Sequence, residues 1–189
     1  MHVFLRTDRM MLRRFTAADV DLLVELDSDP EVMQCITGGR PTPREEVERD
    51  VLPAFLGYYE RFAGYGFWAA VEAATGDFLG WFHFRPREGG SLDEAELGYR
   101  LRRSAWGKGY GTEGSCALIR AGFTEHGVER VVAETMAVNI ASRRVMEKAG
   151  LRLVRTFHQS WPYRIECDEH GDVEYALHRT DWRWHDNDS

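Results

Sequence analysis

The chain has 189 residues, of which 43% are hydrophobic and 29% charged, with a formal net charge of −7 at pH 7. That length suits one domain with a sizeable core, and the acidic balance excludes a dedicated nucleic-acid binder, which would carry a basic patch. No apolar run is long enough to span a membrane, and Met1-His2-Val3-Phe4-Leu5-Arg6 is too soon charged for a secretory signal. Cys35, Cys116 and Cys167 form no metal or redox pair, so a cytoplasmic protein in a reducing compartment is expected.

Arg9-Met10-Met11-Leu12-Arg13-Arg14 reads as a short first strand. Thr16-Ala17-Ala18-Asp19 has the form of a capping box and predicts a helix to about Leu26; Asp29-Pro30 opens a further helical turn. Thr42-Pro43-Arg44-Glu45 repeats the box with proline at the first helical position. Its helix should reach Phe62, stop at Gly64 and kink at Pro53. Gly66 to Ala73 and Phe78 to Arg85, joined by Thr75-Gly76-Asp77, make a hairpin signal. The stretch Tyr58, Tyr59, Phe62, Tyr65, Phe67 and Trp68 is read as core rather than as a binding pocket.

Glu94 to Leu101 is the next strand. A glycine loop follows, then a helix from about Thr112 to His126 closed by Gly127. Arg130 to Val138 is a strand, and Ile140 to Ala149 a helix closed by Gly150. Leu151 to His158 and Asp172 to Arg179 are two last strands around Asp168-Glu169-His170-Gly171. Antiparallel hairpins around a central β-α-β-α-β stretch imply a mixed α/β sheet in one domain, residues 1–189.

Gly107, Gly109 and Gly111 stand at alternate positions just before a helix. They leave bare backbone N–H groups at its positive end, a place to hold phosphate. A plain turn needs fewer glycines. Gly109-Tyr110-Gly111-Thr112-Glu113-Gly114 also matches the dinucleotide pattern G-x-G-x-x-G, with Glu134 about 20 residues on. Yet the preceding strand carries Glu94 and Glu96, and Arg102-Arg103-Ser104-Ala105 separates it from the glycines. A P-loop is excluded, because Lys108 is followed by glycine.

Glu96-Leu97-Gly98-Tyr99, then Trp106-Gly107-Lys108-Gly109-Tyr110-Gly111-Thr112-Glu113, then Asn139 through Ser142 to Glu147-Lys148-Ala149-Gly150-Leu151 stand in one order. They resemble the motifs E-x-G-Y, W-G-K/R-G-Y-G/A-x-E and N-x-x-S-x-x-x-x-E-K-x-G-F/L of the GNAT superfamily of N-acyltransferases, in its RimJ/RimL-like branch. Thr7-Asp8-Arg9 through Arg13 resembles that branch's opening, and Tyr175-Ala176-Leu177 through Trp182 its close. The resemblance implies the GNAT fold: a mixed, mostly antiparallel sheet of about seven strands flanked by helices.

It implies an acetyltransferase that moves an acetyl group from acetyl-CoA to a primary amine, on a small molecule or a protein N-terminus. No metal, nucleic acid or membrane is called for, and a homodimer is compatible with it. The implied cofactor contacts are Leu101, Trp106, Gly107, Lys108, Gly109, Tyr110, Gly111, Thr112, Asn139 and Ser142. Strands 94–101 and 130–138 should splay, and backbone near Leu101 should pair with the pantetheine arm.

Two residues depart from wider GNAT habit. Trp106 stands where Gln or Arg often opens the loop, and Met146 where many members carry a tyrosine acid. Ser142 is then the candidate proton donor to the thiolate, with helix capping as its plain role. Glu96 is the first candidate base for the amine, Glu94 the second, and Glu134 stays open. His83 and His126 are read as structural. A chain that binds CoA without turnover is the alternative of another class.

Overall fold

The computed structural model describes residues 2–87, 89–159, 165 and 168–183. Cys167 lies outside these residues; Cys35 and Cys116 are not disulfide-bonded. Eight strands form one sheet in the order β1-β2-β3-β4-β5-β6-β8-β7. They are β1 (Val3–Arg6), β2 (Met10–Arg14), β3 (Gly66–Glu72), β4 (Phe78–Pro86), β5 (Glu94–Leu101), β6 (Arg130–Met136), β7 (Arg152–Phe157) and β8 (Asp172–His178). Every neighbouring pair is antiparallel except β5 and β6. The strand beyond the expected seven is β1. It is too short to show alternation, and it is held by pairing with β2 and by Phe4 stacking on Trp68 at 3.9 Å.

The helices are α1 (Val20–Asp27), α2 (Pro30–Thr37), α3 (Arg44–Glu46), α4 (Leu52–Arg61), α5 (Tyr110–Glu125) and α6 (Ile140–Lys148). The box at Thr16 closes: the Thr16 N–H donates to Asp19 Oδ2 at 2.7 Å, and Arg13 grips the same carboxylate through two bonds of 2.8 Å. The second expected box does not form. Thr42 donates its hydroxyl to Asp27 instead, at 2.8 Å, and Pro43 becomes the cap of α3. Where a kink at Pro53 is expected, a π-helical turn, Val47–Val51, joins α3 to α4 just ahead of the proline, and α4 runs on through it.

Residues facing each other across the ladder share a side of the sheet. Trp68, Phe82, Phe84, Leu97, Val131 and Tyr175 are buried on the side packed with Leu118 and Phe123 of α5 and Met146 of α6. Gly114 and Gly122 make that approach close; a Cβ at Gly122 would stand 2.5 Å from Phe84 Cζ. On the other side Phe15, Leu23, Leu26, Phe55 and Trp81 form a second cluster under α1, α2 and α4. Tyr65 and Trp68 are buried, as read from the sequence. Past Trp81 that second side turns charged, with Arg87 and Arg130 bridging Glu94 and Glu174.

Candidate active-site cleft

The parallel strands β5 and β6 pair at only three rungs: Glu94 with Arg130, Ala95 with Val131, and Glu96 with Val132. Beyond them the strands part, as the resemblance implies, and a cleft of about 890 Å³ opens between Leu97–Leu101 and Ala133–Met136. The Arg102 N–H donates across to Leu79 of β4 at 2.9 Å. By alternation, Leu101 and Tyr99 turn their backbone groups to the open edge. The Trp106 indole donates to the Leu101 carbonyl at 2.8 Å, which leaves that oxygen one lone pair for a strand-like guest.

At the carboxyl end of β5 lies the glycine loop. Gly107 (φ 69°) and Gly109 (φ 87°) are left-handed, and the space where a Cβ on Gly107 would point is empty. Gly109 caps α5 without any side-chain acceptor, so the N–H groups of the first turn are offered to a ligand. Trp106, Gly107, Gly109, Gly111 and Thr112 line the cleft. Gly111 is helical backbone, so its share in the site is small size rather than special dihedrals.

Lys108 and Tyr110, also expected to contact the cofactor, do not line the cleft; both support the loop from behind. The Lys108 carbonyl accepts from Arg9 Nη1 at 2.9 Å, and the Arg9 guanidinium lies 4.6 Å over the Tyr110 ring. Arg9 also grips Glu113 in the first turn of α5 at 2.7 and 2.6 Å, and Thr7 donates to the same carboxylate at 2.6 Å. The opening Thr7-Asp8-Arg9 is thus a latch on the glycine loop.

Asn139 caps α6, its Oδ1 accepting the Ser142 N–H at 3.1 Å. The cap uses the backbone of Ser142, so its hydroxyl is free for other work. That Oγ lines the cleft and accepts from the Tyr99 hydroxyl at 3.2 Å; burial pushes the Tyr99 phenol up to about 12. Arg144 and Lys148, one turn apart on α6, also line the cleft, and neither is ion-paired among the described residues. Sequence reasoning passed over them, although their i, i+4 spacing after Asn139 was the available signal.

The three candidate carboxylates differ in place. Glu134 lines the cleft, hydrogen-bonded by Arg87 at 2.6 Å and Gln159 at 3.1 Å; burial and the neighbouring Glu174 hold its carboxyl above the usual range. Glu94 pairs with Arg130 and Arg87 outside it. Glu96 does not line the cleft either. Its Oε1 accepts from Arg85 at 3.0 Å, and burial, which opposes ionisation, is outweighed by His83, Arg85 and Arg87, which pull the carboxyl down to about 2. His83, read from the sequence as structural, is the group on the wall beside it.

A mostly antiparallel sheet with one splayed parallel pair defines a class quite unlike a doubly wound dinucleotide fold. The profile of the acetyltransferase (GNAT) domain family matches residues 9–152, and the chain belongs to the GNAT acetyltransferase family. It is 33% identical over 184 residues, 94% of this chain and 77% of the relative, to the "FsC-acetyl coenzyme A-N(2)-transacetylase" of Aspergillus fumigatus. The N-acetyltransferase YnaD of Bacillus subtilis is 27% identical over 96% of this chain and 99% of its own. In fold, the chain matches RimL, a ribosomal L7/L12 alpha-N-protein acetyltransferase solved with coenzyme A. The TM-score is 0.75 and identity 20%, covering 94% of this chain and 98% of that one. Among the described residues no helix is long and apolar enough to cross a membrane, and no cluster of three ligating side chains is placed to hold a metal.

Proposed function

We propose that this chain is a RimJ/RimL-like, cytoplasmic N-acetyltransferase that passes the acetyl group of acetyl-CoA to a primary amine within one ternary complex. The observation carrying this reading is the splay of β5 and β6 directly above an uncapped helix terminus. The donor set fits a CoA pyrophosphate: bare N–H groups, left-handed glycines, and the unpaired cations Arg144 and Lys148 on the facing helix. Acetyl-CoA, when bound, supplies the acetyl thioester.

The chain's groups do the rest. The open edge at Tyr99 offers backbone hydrogen bonds to an extended arm and can polarise a carbonyl there. Ser142 gives its hydroxyl proton to the leaving thiolate. The buried phenol of Tyr99, too weak an acid to ionise, points its proton at Ser142 Oγ and so turns the serine proton outward. The acceptor amine enters past α2, where Glu31, Val32 and Cys35 line the opposite mouth.

An acceptor screen that follows free-thiol release, with mass spectrometry of the products, tests the reading. Acetylated product with a protein N-terminus or a small amine supports it. Thermal stabilisation by NADH with none by CoA would sink it. Binding of CoA with no thiol release across the amine panel would make the chain a CoA-binding module instead.

A further inference from the structure

We propose that His83 is the base that takes the proton from the acceptor amine, with Glu96 as its positioning residue. This rests on the acyl-transfer reading above. His83 stands on β4 directly opposite Gly98 on β5 and Phe67 on β3. Any side chain at position 98 would put its Cβ 2.5 Å from His83 Cε1 and 2.7 Å from Nε2, so the bare Cα of Gly98 is what admits the ring. Phe67 meets the ring edge-on at 5.4 Å and Trp81 stacks at 5.9 Å. The ring is thereby fixed, with 13% of the side chain exposed and a place on the cleft wall.

The two ring nitrogens have different surroundings. Nε2 is buried, 3.3 Å from Glu96 Oε1, within charge-pairing reach but not aligned as a hydrogen bond. Such bonds commonly tighten when substrate binds. With Nε2 buried beside Glu96, Nδ1 is the nitrogen left for a guest in the cleft. The order carboxylate, imidazole, cleft is that of a base held by an orienting acid. The charged groups about the ring are Glu96 and Arg100 from β5 and Arg85 from β4, while β3 brings only the uncharged Phe67. Burial, with Arg85 and Arg100, holds the ring below the usual histidine range against the pull of Glu96, so it is neutral near pH 7 and able to accept.

In the step itself, the amine nitrogen forms its bond to the acetyl carbon and its proton passes to His83 Nδ1. Glu96 faces the imidazolium charge through Nε2–H. The C–S bond breaks, its electron pair leaves with sulfur, and the sulfur takes the Ser142 proton. His83 then gives its proton to water and Ser142 recovers one from water, so one proton in sum moves from nitrogen to sulfur.

The test is thiol release at saturating acceptor, measured as a pH profile, with CoA affinity measured alongside. His83→Gln should keep CoA affinity, lose about 10²–10⁴-fold in kcat and lose the acid limb of the profile. Glu96→Gln should lose less and move that limb to lower pH, because the anion that favours the imidazolium is gone. His83→Ala should regain rate with added imidazole, which also decides the matter if His83→Gln does not fold. A His83→Gln enzyme with wild-type kcat and an intact acid limb overturns the proposal. So does an acid limb that vanishes only in Glu96→Gln, or a His83→Ala enzyme that imidazole leaves unchanged. Wild-type protein that binds no CoA, or releases no thiol with any amine, sinks the acyl-transfer reading itself.

Discussion

Replacing Arg9 by methionine should loosen the glycine loop without touching the cleft. The stem can still cover Tyr110, but three bonds go: 2.7 and 2.6 Å to Glu113 and 2.9 Å to the Lys108 carbonyl. The Arg9 side chain is 48% exposed, so the ion pair counts as a good surface pair, about 1 kcal/mol. The carbonyl bond adds about 1 kcal/mol and acts on the loop directly. Together they should lower Tm by roughly 4–8 °C in a chain of this size. The loop share alone should raise the CoA Kd about fivefold. Glu113→Gln is the companion variant, since it frees the guanidinium while keeping its charge. Both changes should weaken CoA binding, and the double variant should be little worse than Arg9→Met, because both break one interaction. Calorimetric titration with CoA beside a thermal scan reads both effects. A Kd unchanged in Glu113→Gln while Tm falls would refute the latch. A loss confined to Arg9→Met would make Arg9 a direct phosphate contact.

Glu96 should set part of the acid stability. A carboxyl held near 2, against an ordinary 4.5, stabilises the fold above pH 4.5 and loses that contribution as pH falls towards 2. At about 1.36 kcal/mol per unit the full term is about 3 kcal/mol, so denaturant unfolding of Glu96→Gln should show a shallower loss between pH 5 and 3 than wild type. Equal slopes would deny the effect. Gly122→Val should cost about 1–3 kcal/mol by forcing Phe84 aside, with recovery in Phe84→Leu; an unchanged urea midpoint would mean that α5 shifts freely. Ser142→Ala should lower kcat much more than it raises the acetyl-CoA KM, towards the low end of 10²–10⁴-fold. Tyr99→Phe in that background should add little, and full additivity would separate the two hydroxyls. Gly109→Ala should weaken CoA binding by placing a Cβ on a left-handed residue, 3.2 Å from Arg9 Nη2; unaltered affinity would put the phosphates elsewhere.

Local chemistry was legible in the chain itself. The alternation in 94–101, the glycines at 107 and 109, and the Asn139 cap are near-neighbour patterns whose backbone preferences act over a few residues, and each stands where it was read. Proline at position 53 signalled a disturbed helix, but that the disturbance is a π-helical turn at Val47–Val51 is something no local rule reports. The sites of proton transfer needed the tertiary structure. Glu94 and Glu96 share a strand face as their spacing demands, yet only the tertiary structure gives them their ion-pair partners, Arg85, Arg87 and Arg130. His83 carried no signal of its own. Its place on the cleft wall comes from the β4–β5 register, which sets it over Gly98, 15 residues away in the chain. Arg9 and Glu113, 104 residues apart, meet only because β2 lies beside β3 and α5 packs back across the sheet. Sequence spacing reports what one element does with its own backbone; which side chains end in the same few ångströms is decided by strand order and register.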